Sequence, residues 1–283
     1  MDYKTIIAAE LLAEHLQDDN LVIIDCRFTL GDDLRGTSDY QQAHIPGAVY
    51  AHLDNDLCGS IIPGKTGRHP LPDVDLLVDR FSRWGISSEV QVVAYDDWPG
   101  NGIPVAARLW WSLRWLGHEK AAVLDGGWDG WTQAGYPISR GTEEQSRAVF
   151  VPLRKPDLFA GSTLVDSMRQ DPVSRVVDSR SSDRYRGENE TIDTVAGHIP
   201  GAISLPYQDN FDAGGLFHPA SKLRKKFRDI LGDTPASDVA FYCGSGVTAA
   251  VNVLAMAYAG LGDARLYVGS WSEWITDTRR PVV

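Results

Sequence analysis

The sequence predicts an α/β fold built from two tandem domains, each a mainly parallel sheet flanked by helices. Three observations carry that expectation. Short β-branched runs alternate with amphipathic or alanine-rich segments, the pattern of parallel strands joined by crossover helices. Some of those runs are apolar at every position, as strands covered on both faces are. Four landmarks also occur twice, in the same order. LVIIDCR (21–27) returns as RVVDSR (175–180), and AHIPGAV (43–49) as GHIPGAI (197–203). An apolar run ending in Tyr95 returns ending in Tyr242, and LDGGWDGW (124–131) returns as YVGSWSEW (267–274). A period of about 150 residues is too long for a solenoid, so the repeat is a whole domain.

The expected division is a first domain at 1–140, a linker at 141–160 and a second domain at 161–283. The linker, GTEEQSRAVFVPLRKPDLFA, carries Gly, Ser, two prolines and mixed charge, with no sustained period. The opening residues, MDYKTIIAAELLAEHLQDD, read as a strand or turn and then an amphipathic helix. They have acids throughout, no basic start and no small-residue cleavage site, unlike a signal peptide. Strands are expected at VIID, VVAY and AVLD in the first copy, and at VVD, VAFY and ARLYV in the second. Helices are expected at 70–85, with Pro at its start and Gly at its end, and at 104–117, 221–232 and 247–260.

The chain has 283 residues, 43% of them hydrophobic, and a net charge of -11. That balance argues against a nucleic-acid partner, because phosphate neutralisation needs a basic face. The one basic run, KLRKKFR (222–228), reads as the solvated side of a helix, with docking of an acidic partner or anionic substrate as the alternative. No apolar run approaches the ~18 residues of a membrane span. The three cysteines, Cys26, Cys58 and Cys243, are few, odd in number and not in a CxxC pair. They fit a reducing compartment, and the expected location is the cytoplasm. No metal-ligand spacing or nucleotide motif stands out, so no cofactor is expected.

The stretch FYCGSGVTAAVN (241–252) concentrates the chemistry. It reads as the end of a strand, a six-residue loop and a helix start. In open α/β sheets ligands sit beyond such strand ends. Gly244 and Gly246 remove side-chain bulk and let backbone N–H groups turn inward around the sulfur. The following helix aims its positive end at the same place. Both effects favour thiolate, so the Cys243 pKa is expected below the free value of about 8.5. The bland alternative is a small core residue at a strand end.

Other chemistries fit less well. A phosphatase loop wants Cys-x5-Arg, but Ala249 stands six residues after Cys243. Walker-type phosphate binding needs Gly-Lys-Ser/Thr, which is missing. A dithiol redox enzyme wants a second cysteine in the loop, and papain-like acyl transfer a paired histidine. Sulfur transfer needs one thiolate and a cradle roomy enough for a persulfide.

With these motifs in place, the chain resembles the tandem-domain rhodanese superfamily of sulfurtransferases nearly end to end. The Asp-x-Arg strand ends, both HIPGA stretches and the GGW/GSW-x-x-W boundaries all match. CGSGVTA (243–249) is similar to the active-site loop of the 3-mercaptopyruvate branch. Thiosulfate-using members carry bulkier, more basic residues where this chain has Gly244 and Ser245. The resemblance implies rhodanese-like domains with a catalytic second copy. It also implies a non-catalytic first copy, where Asp96 takes the cysteine's place. It implies a sulfane-sulfur transferase with a small-molecule donor and a thiophilic acceptor: cyanide, a thiol or thioredoxin. Thiosulfate as donor, or a persulfide-carrying binding module with little turnover, stay open as alternatives.

Site roles follow from the same resemblance. Cys243 is the nucleophile, and the backbone from Gly244 through Gly246, Val247 and Thr248 holds the charged intermediate. Ser245 hydrogen-bonds the substrate carbonyl or relays a proton, and Asp54 and His69 work with it. Arg184, in DRYRG, pairs with the donor carboxylate, and Arg186 is a nearby substitute. Family members carry a second carboxylate-binding arginine about nine residues after the first. Here that zone reads ETIDTV (190–195), which leaves the donor preference open.

Overall fold

The structure, a computed structural model, describes residues 1–100 and 102–283. The chain divides into two compact units. One comprises Met1–Cys58, Pro72–Lys155 and Ala213–Leu216; the other comprises Gly59–Leu71, Pro156–Asp212 and Phe217–Val283. Two short segments therefore belong with the other half of the chain from their sequence neighbours. The expected linker is divided too. Its last two residues form a strand of the second sheet, because Phe159 and Ala160 pair with Leu266 and Tyr267.

In the first unit the strands are β1 (Ile6–Ile7), β2 (Leu21–Asp25), β3 (Val49–Tyr50), β4 (Gln91–Tyr95) and β5 (Ala121–Leu124). They form a five-stranded sheet in the order β1-β5-β4-β2-β3. All its pairings are parallel. Its helices are α1 (Ala9–Glu14), α2 (Arg35–Gln42), α3 (Leu53–Asp56), α4 (Val74–Arg83), α5 (Ala106–Trp115) and α6 (Gly127–Gln133). Every residue of α5 is buried, Arg108 and Arg114 included. Trp111 and Trp115 stack there with centroids 5.7 Å apart.

The second unit repeats the plan. Strands β6 (Phe159–Ala160), β7 (Arg175–Asp178), β8 (Ile203–Ser204), β9 (Val239–Tyr242) and β10 (Arg265–Tyr267) run in the order β6-β10-β9-β7-β8. These pairings are parallel as well. The helices are α7 (Ser162–Met168), α8 (Ser182–Tyr185), α9 (Ala220–Leu231), α10 (Ala249–Tyr258) and α11 (Ser270–Trp274). Strand β9 lies between β10 and β7, and all four of its residues are buried. Its core partners include Val176, Ile199, Tyr267, Trp271 and Trp274.

The duplication extends to individual bonds. At the end of β2, Arg27 clamps Asp25 (Nη2–Oδ2 2.6 Å) and reaches the Ala43 carbonyl at 2.6 Å. At the end of β7, Arg180 clamps Asp178 at 2.6 Å and reaches the Gly197 carbonyl at 2.7 Å. Each guanidinium also lies over a tryptophan, Arg27 over Trp128 at 4.4 Å and Arg180 over Trp271 at 4.9 Å. His44 and His198 each bond a backbone carbonyl through Nδ1, that of Tyr40 and that of Tyr185, both at 2.8 Å. Both histidines therefore fix the turn before Ile-Pro-Gly. The Asp-x-Arg motif is the brace of each domain, an ion pair made affordable by several hydrogen bonds.

Replacing Asp25 by Ala leaves the Arg27 guanidinium, only 4% exposed, without its carboxylate. The expected loss is about 3–5 kcal/mol of stability, read as a lower urea midpoint; an unchanged midpoint refutes the role.

Candidate active site

Cys243 follows directly on Tyr242, the last residue of β9, and α10 begins six residues later at Ala249. The loop between them is fastened to the start of α11. The Cys243 N–H donates to Ser270 Oγ at 3.0 Å, and that hydroxyl donates to the Tyr267 carbonyl at 2.8 Å. The Trp271 and Ser272 N–H groups donate to the carbonyls of Cys243 (3.0 Å) and Gly244 (2.9 Å). Ser270 holds this place with φ of 54°, a left-handed conformation uncommon outside glycine.

Gly246 has φ of +76°, and a Cβ there would lie 2.2 Å from the Val268 carbonyl oxygen. Only glycine fits on both counts. Its N–H turns onto the sulfur, with N to Sγ at 3.1 Å. The thiol is 2% exposed. Burial alone pushes its pKa up. The Thr248 hydroxyl and the amides of Ser245, Ala249 and Gly246 outweigh burial, and the pKa lies below the ordinary thiol value. Cys26 and Cys58 move the other way. Burial, with Asp96 and Asp25 nearby, raises Cys26 well above the ordinary value, and burial lifts Cys58 to about 12 despite Arg108. Only Cys243 has an environment built for an anion.

Beside the loop, His69 Nδ1 lies 2.7 Å from Ser245 Oγ. Both residues are buried. His69 comes from Gly59–Leu71, the segment that belongs to the second unit. Gly67 sits close against that unit, since a Cβ there would lie 2.5 Å from the Gly269 carbonyl oxygen. The Arg68 N–H donates to Ser272 Oγ at 3.1 Å.

Arg184, at the end of α8, faces the loop from another side. Its Nε and Nη2 reach Glu190 at 3.0 and 2.8 Å, and Nη2 reaches Asp193 at 3.1 Å. Arg180 touches Glu190 too, at 3.3 Å. Asp193 accepts a further bond from Arg68. A Cβ on Gly244 would lie 2.8 Å from Arg68 Nη2 and 3.6 Å from Arg184 Nη2. Two guanidiniums therefore stand against the residue next to the sulfur. Burial lowers the Arg68 pKa, while the Cys243 charge works to raise it.

The fold thus gathers Cys243, Gly244, Ser245, Gly246, Val247, Thr248, His69 and Arg184 in one unit. Arg186 is exposed and pairs with Glu188 at 2.7 Å. Asp54 lies on α3 in the first unit, with its side chain exposed. Arg68 escaped the sequence reading. Its one local signal is its place next to His69 in the Gly- and Pro-bounded TGRHPLP.

The first copy shows what replaces a cysteine in the same frame. Asp96 follows β4 as Cys243 follows β9. Its carboxylate accepts the Trp98 N–H at 3.1 Å and the N–H of Ala106, the first residue of α5, at 2.8 Å. Burial lifts its pKa to about 7 against those two bonds.

A family model described as "Rhodanese-like domain" matches residues 8–134 and again 162–277. The chain belongs to the rhodanese family. A probable 3-mercaptopyruvate sulfurtransferase of Pseudomonas aeruginosa is 42% identical over 283 residues, covering 100% of this chain and 99% of that protein. A putative thiosulfate sulfurtransferase, SseB, of Mycobacterium tuberculosis is 40% identical over 279 residues, covering 98% and 95%. Among solved structures, the 3-mercaptopyruvate sulfurtransferase of Leishmania major aligns with a TM-score of 0.83 at 29% identity, over 99% of this chain and 76% of that one. SseA of Escherichia coli aligns with a TM-score of 0.80 at 29% identity, over 96% and 100%. Among the described residues no helix is long and apolar enough to cross a membrane.

The pH profile of Cys243 alkylation by iodoacetamide is expected to inflect below about 8.5, the free thiol value. Thr248→Val removes one donor to the sulfur and should move the inflection up. An unmoved inflection refutes the hydroxyl's part in holding the charge.

Proposed function

We propose that this sulfurtransferase moves a sulfur atom from 3-mercaptopyruvate to a thiophilic acceptor through a persulfide on Cys243. The observation that carries the reading is the buried thiol held below its ordinary pKa, with the Ser245–His69 pair at 2.7 Å beside it.

The Cys243 thiolate attacks the sulfur of the donor. A sulfur–sulfur bond forms and the donor's carbon–sulfur bond breaks, its electron pair passing to carbon as the enolate of pyruvate. The donor's thiol proton ends on that carbon, and Ser245 with His69 is placed to carry it. The product is pyruvate and a Cys243 persulfide anion. The amides around the loop hold that anion as they held the thiolate. In the second half-reaction cyanide, a small thiol or a reduced thioredoxin attacks the outer sulfur and regenerates the thiolate. Two separate half-reactions imply ping-pong kinetics. Arg184 meets the donor's carboxylate, for which a planar fork is suited. The first copy, with Asp96 in the cysteine's place, contributes no nucleophile, and we place the working domain at 161–283 with residues 59–71 added to it.

Thiosulfate is the competing donor, favoured by the name of the Mycobacterium tuberculosis relative and disfavoured by the small Gly244 and Ser245. Side-by-side initial rates separate the two, and a thiosulfate rate well above that for mercaptopyruvate overturns the choice. If neither donor is turned over but the sulfur passes to one protein partner, the chain is a persulfide carrier.

Incubation with mercaptopyruvate should raise the intact mass by one sulfur atom, and Cys243→Ser should abolish the gain. Ser245→Ala is expected to slow persulfide formation about 10²–10⁴-fold, the usual weight of a proton relay. Loading of the Cys243→Ser protein sinks the mechanism.

A further inference from the structure

Among the described residues, Ser270 is the one residue outside glycine with a positive φ. Its φ of 54° presses Cβ against the backbone, a conformation that persists only where the surrounding structure enforces it. Ser270 is fully buried, and its hydroxyl spans two strand ends. It accepts the N–H of Cys243, which follows β9, at 3.0 Å. It donates to the carbonyl of Tyr267, the last residue of β10, at 2.8 Å. Those two strands pair as far as Phe241 and Leu266, so the hydroxyl bridges them just beyond the ladder. The repeat supplies a comparison. LDGGWDGW (124–131) matches YVGSWSEW (267–274) position for position, which sets Gly127 opposite Ser270. Gly127 makes the same turn, with φ of +52°. The Trp128 N–H donates to the Asp96 carbonyl at 2.8 Å, as the Trp271 N–H does to that of Cys243 at 3.0 Å. Glycine takes this turn without strain, and a Cβ on Gly127 would lie 2.4 Å from the Asp96 carbonyl oxygen. The strained serine stands in the copy that holds the nucleophile.

We propose that Ser270 is a positioning residue for sulfur transfer: its hydroxyl holds the Cys243 peptide so that the donors of the loop converge on the sulfur. The proposal rests on the mercaptopyruvate reading for turnover, but its effect on the thiol needs no sulfur donor. The carbonyls of Cys243 and Gly244 are already fixed by the N–H groups of Trp271 and Ser272. The Cys243 N–H is fixed by Ser270. Without that hydroxyl a buried N–H loses its partner, which is costly enough to turn the peptide toward another acceptor. The sulfur hangs from the same residue, so a turn there moves it relative to the Gly246 N–H, which lies 3.1 Å away. Hydrogen bonds weaken steeply once they bend. Glycine would serve the turn better, so the strain at Ser270 is retained for reactivity and not for the fold.

Ser270→Ala removes the hydroxyl alone, whereas Ser270→Gly removes the hydroxyl and the strain together. The probe is iodoacetamide alkylation of Cys243 against pH, with the melting temperature of each variant beside it. Both variants should move the alkylation inflection to higher pH, because misaligned donors favour the anion less. Ser270→Gly should melt a few degrees above Ser270→Ala, since it sheds the left-handed penalty. Single-turnover persulfide formation from mercaptopyruvate should slow about 10-fold in both, the weight of one hydrogen bond. A purely structural fastening predicts that Ser270→Gly, with the strain gone, alkylates as the wild type does, and that result overturns the proposal. An inflection that moves in Ser270→Gly but not in Ser270→Ala also overturns it, because chain mobility is then the cause. Where Ser270→Ala does not fold, the unstrained Ser270→Gly decides the matter. If the inflections move as expected but the wild-type enzyme gains no sulfur from mercaptopyruvate, the functional reading fails and the positioning role stands.

Discussion

The Cys243 thiol is eased towards its anion in a place almost free of water. Cys243 is 2% exposed, and burying an ion costs several kcal/mol even after the protein relaxes. One hydrogen bond to a charged group returns about 1.5–3 kcal/mol, so a single donor cannot keep the thiolate. Four together outweigh burial and hold the pKa below the ordinary thiol value: the Thr248 hydroxyl and the amides of Ser245, Gly246 and Ala249. Everything else near the sulfur serves to aim them. Strand β9 fixes where the loop starts and α10 fixes where it ends. Gly246 makes a turn that no side chain permits, and Ser270 ties the Cys243 N–H down from below.

The first copy is the control experiment within the same chain. Asp96 stands at the same strand end and receives two amides rather than four donors. Burial wins there, helped by the charges of Asp97 and Asp25, and the carboxyl is lifted to about 7. The frame is inherited, but the sign of the shift depends on how many donors converge. The braces around the two frames have not diverged. Asp25–Arg27 and Asp178–Arg180 keep nearly the same bonds and the same tryptophan lid. They position the strand ends whether or not chemistry follows.

This division explains what was legible in the residues. Parallel strands such as LVIID and VAFY announce themselves because burial on both faces demands unbroken apolar runs. The helices expected at 104–117 and 247–260 lie at Ala106–Trp115 and Ala249–Tyr258, trimmed only at their ends. The Cys243 loop was legible because glycine spacing and a strand–loop–helix context are local properties. The two-residue strands Val49–Tyr50 and Phe159–Ala160 were not. They exist through pairing with a distant strand, and two residues carry no period. The segment 59–71 hid its allegiance for a related reason. It has no periodicity and its contacts are long-range, so proximity in sequence assigned it to the first half. Arg68 is hidden with it, because its nearness to Gly244 is set by the fold and not by the local sequence.

The charges around Gly244 are matched one for one. Three guanidiniums, those of Arg68, Arg180 and Arg184, are matched by Asp178, Glu190 and Asp193. The group balances, so the arginines beside the loop are held by carboxylates and keep fixed places. Glu190 is held by two arginines and also accepts the N–H groups of Ile192 and Asp193, and Asp178 belongs to the brace of the fold. The network therefore ties the loop side of the second unit to the end of its β7 strand.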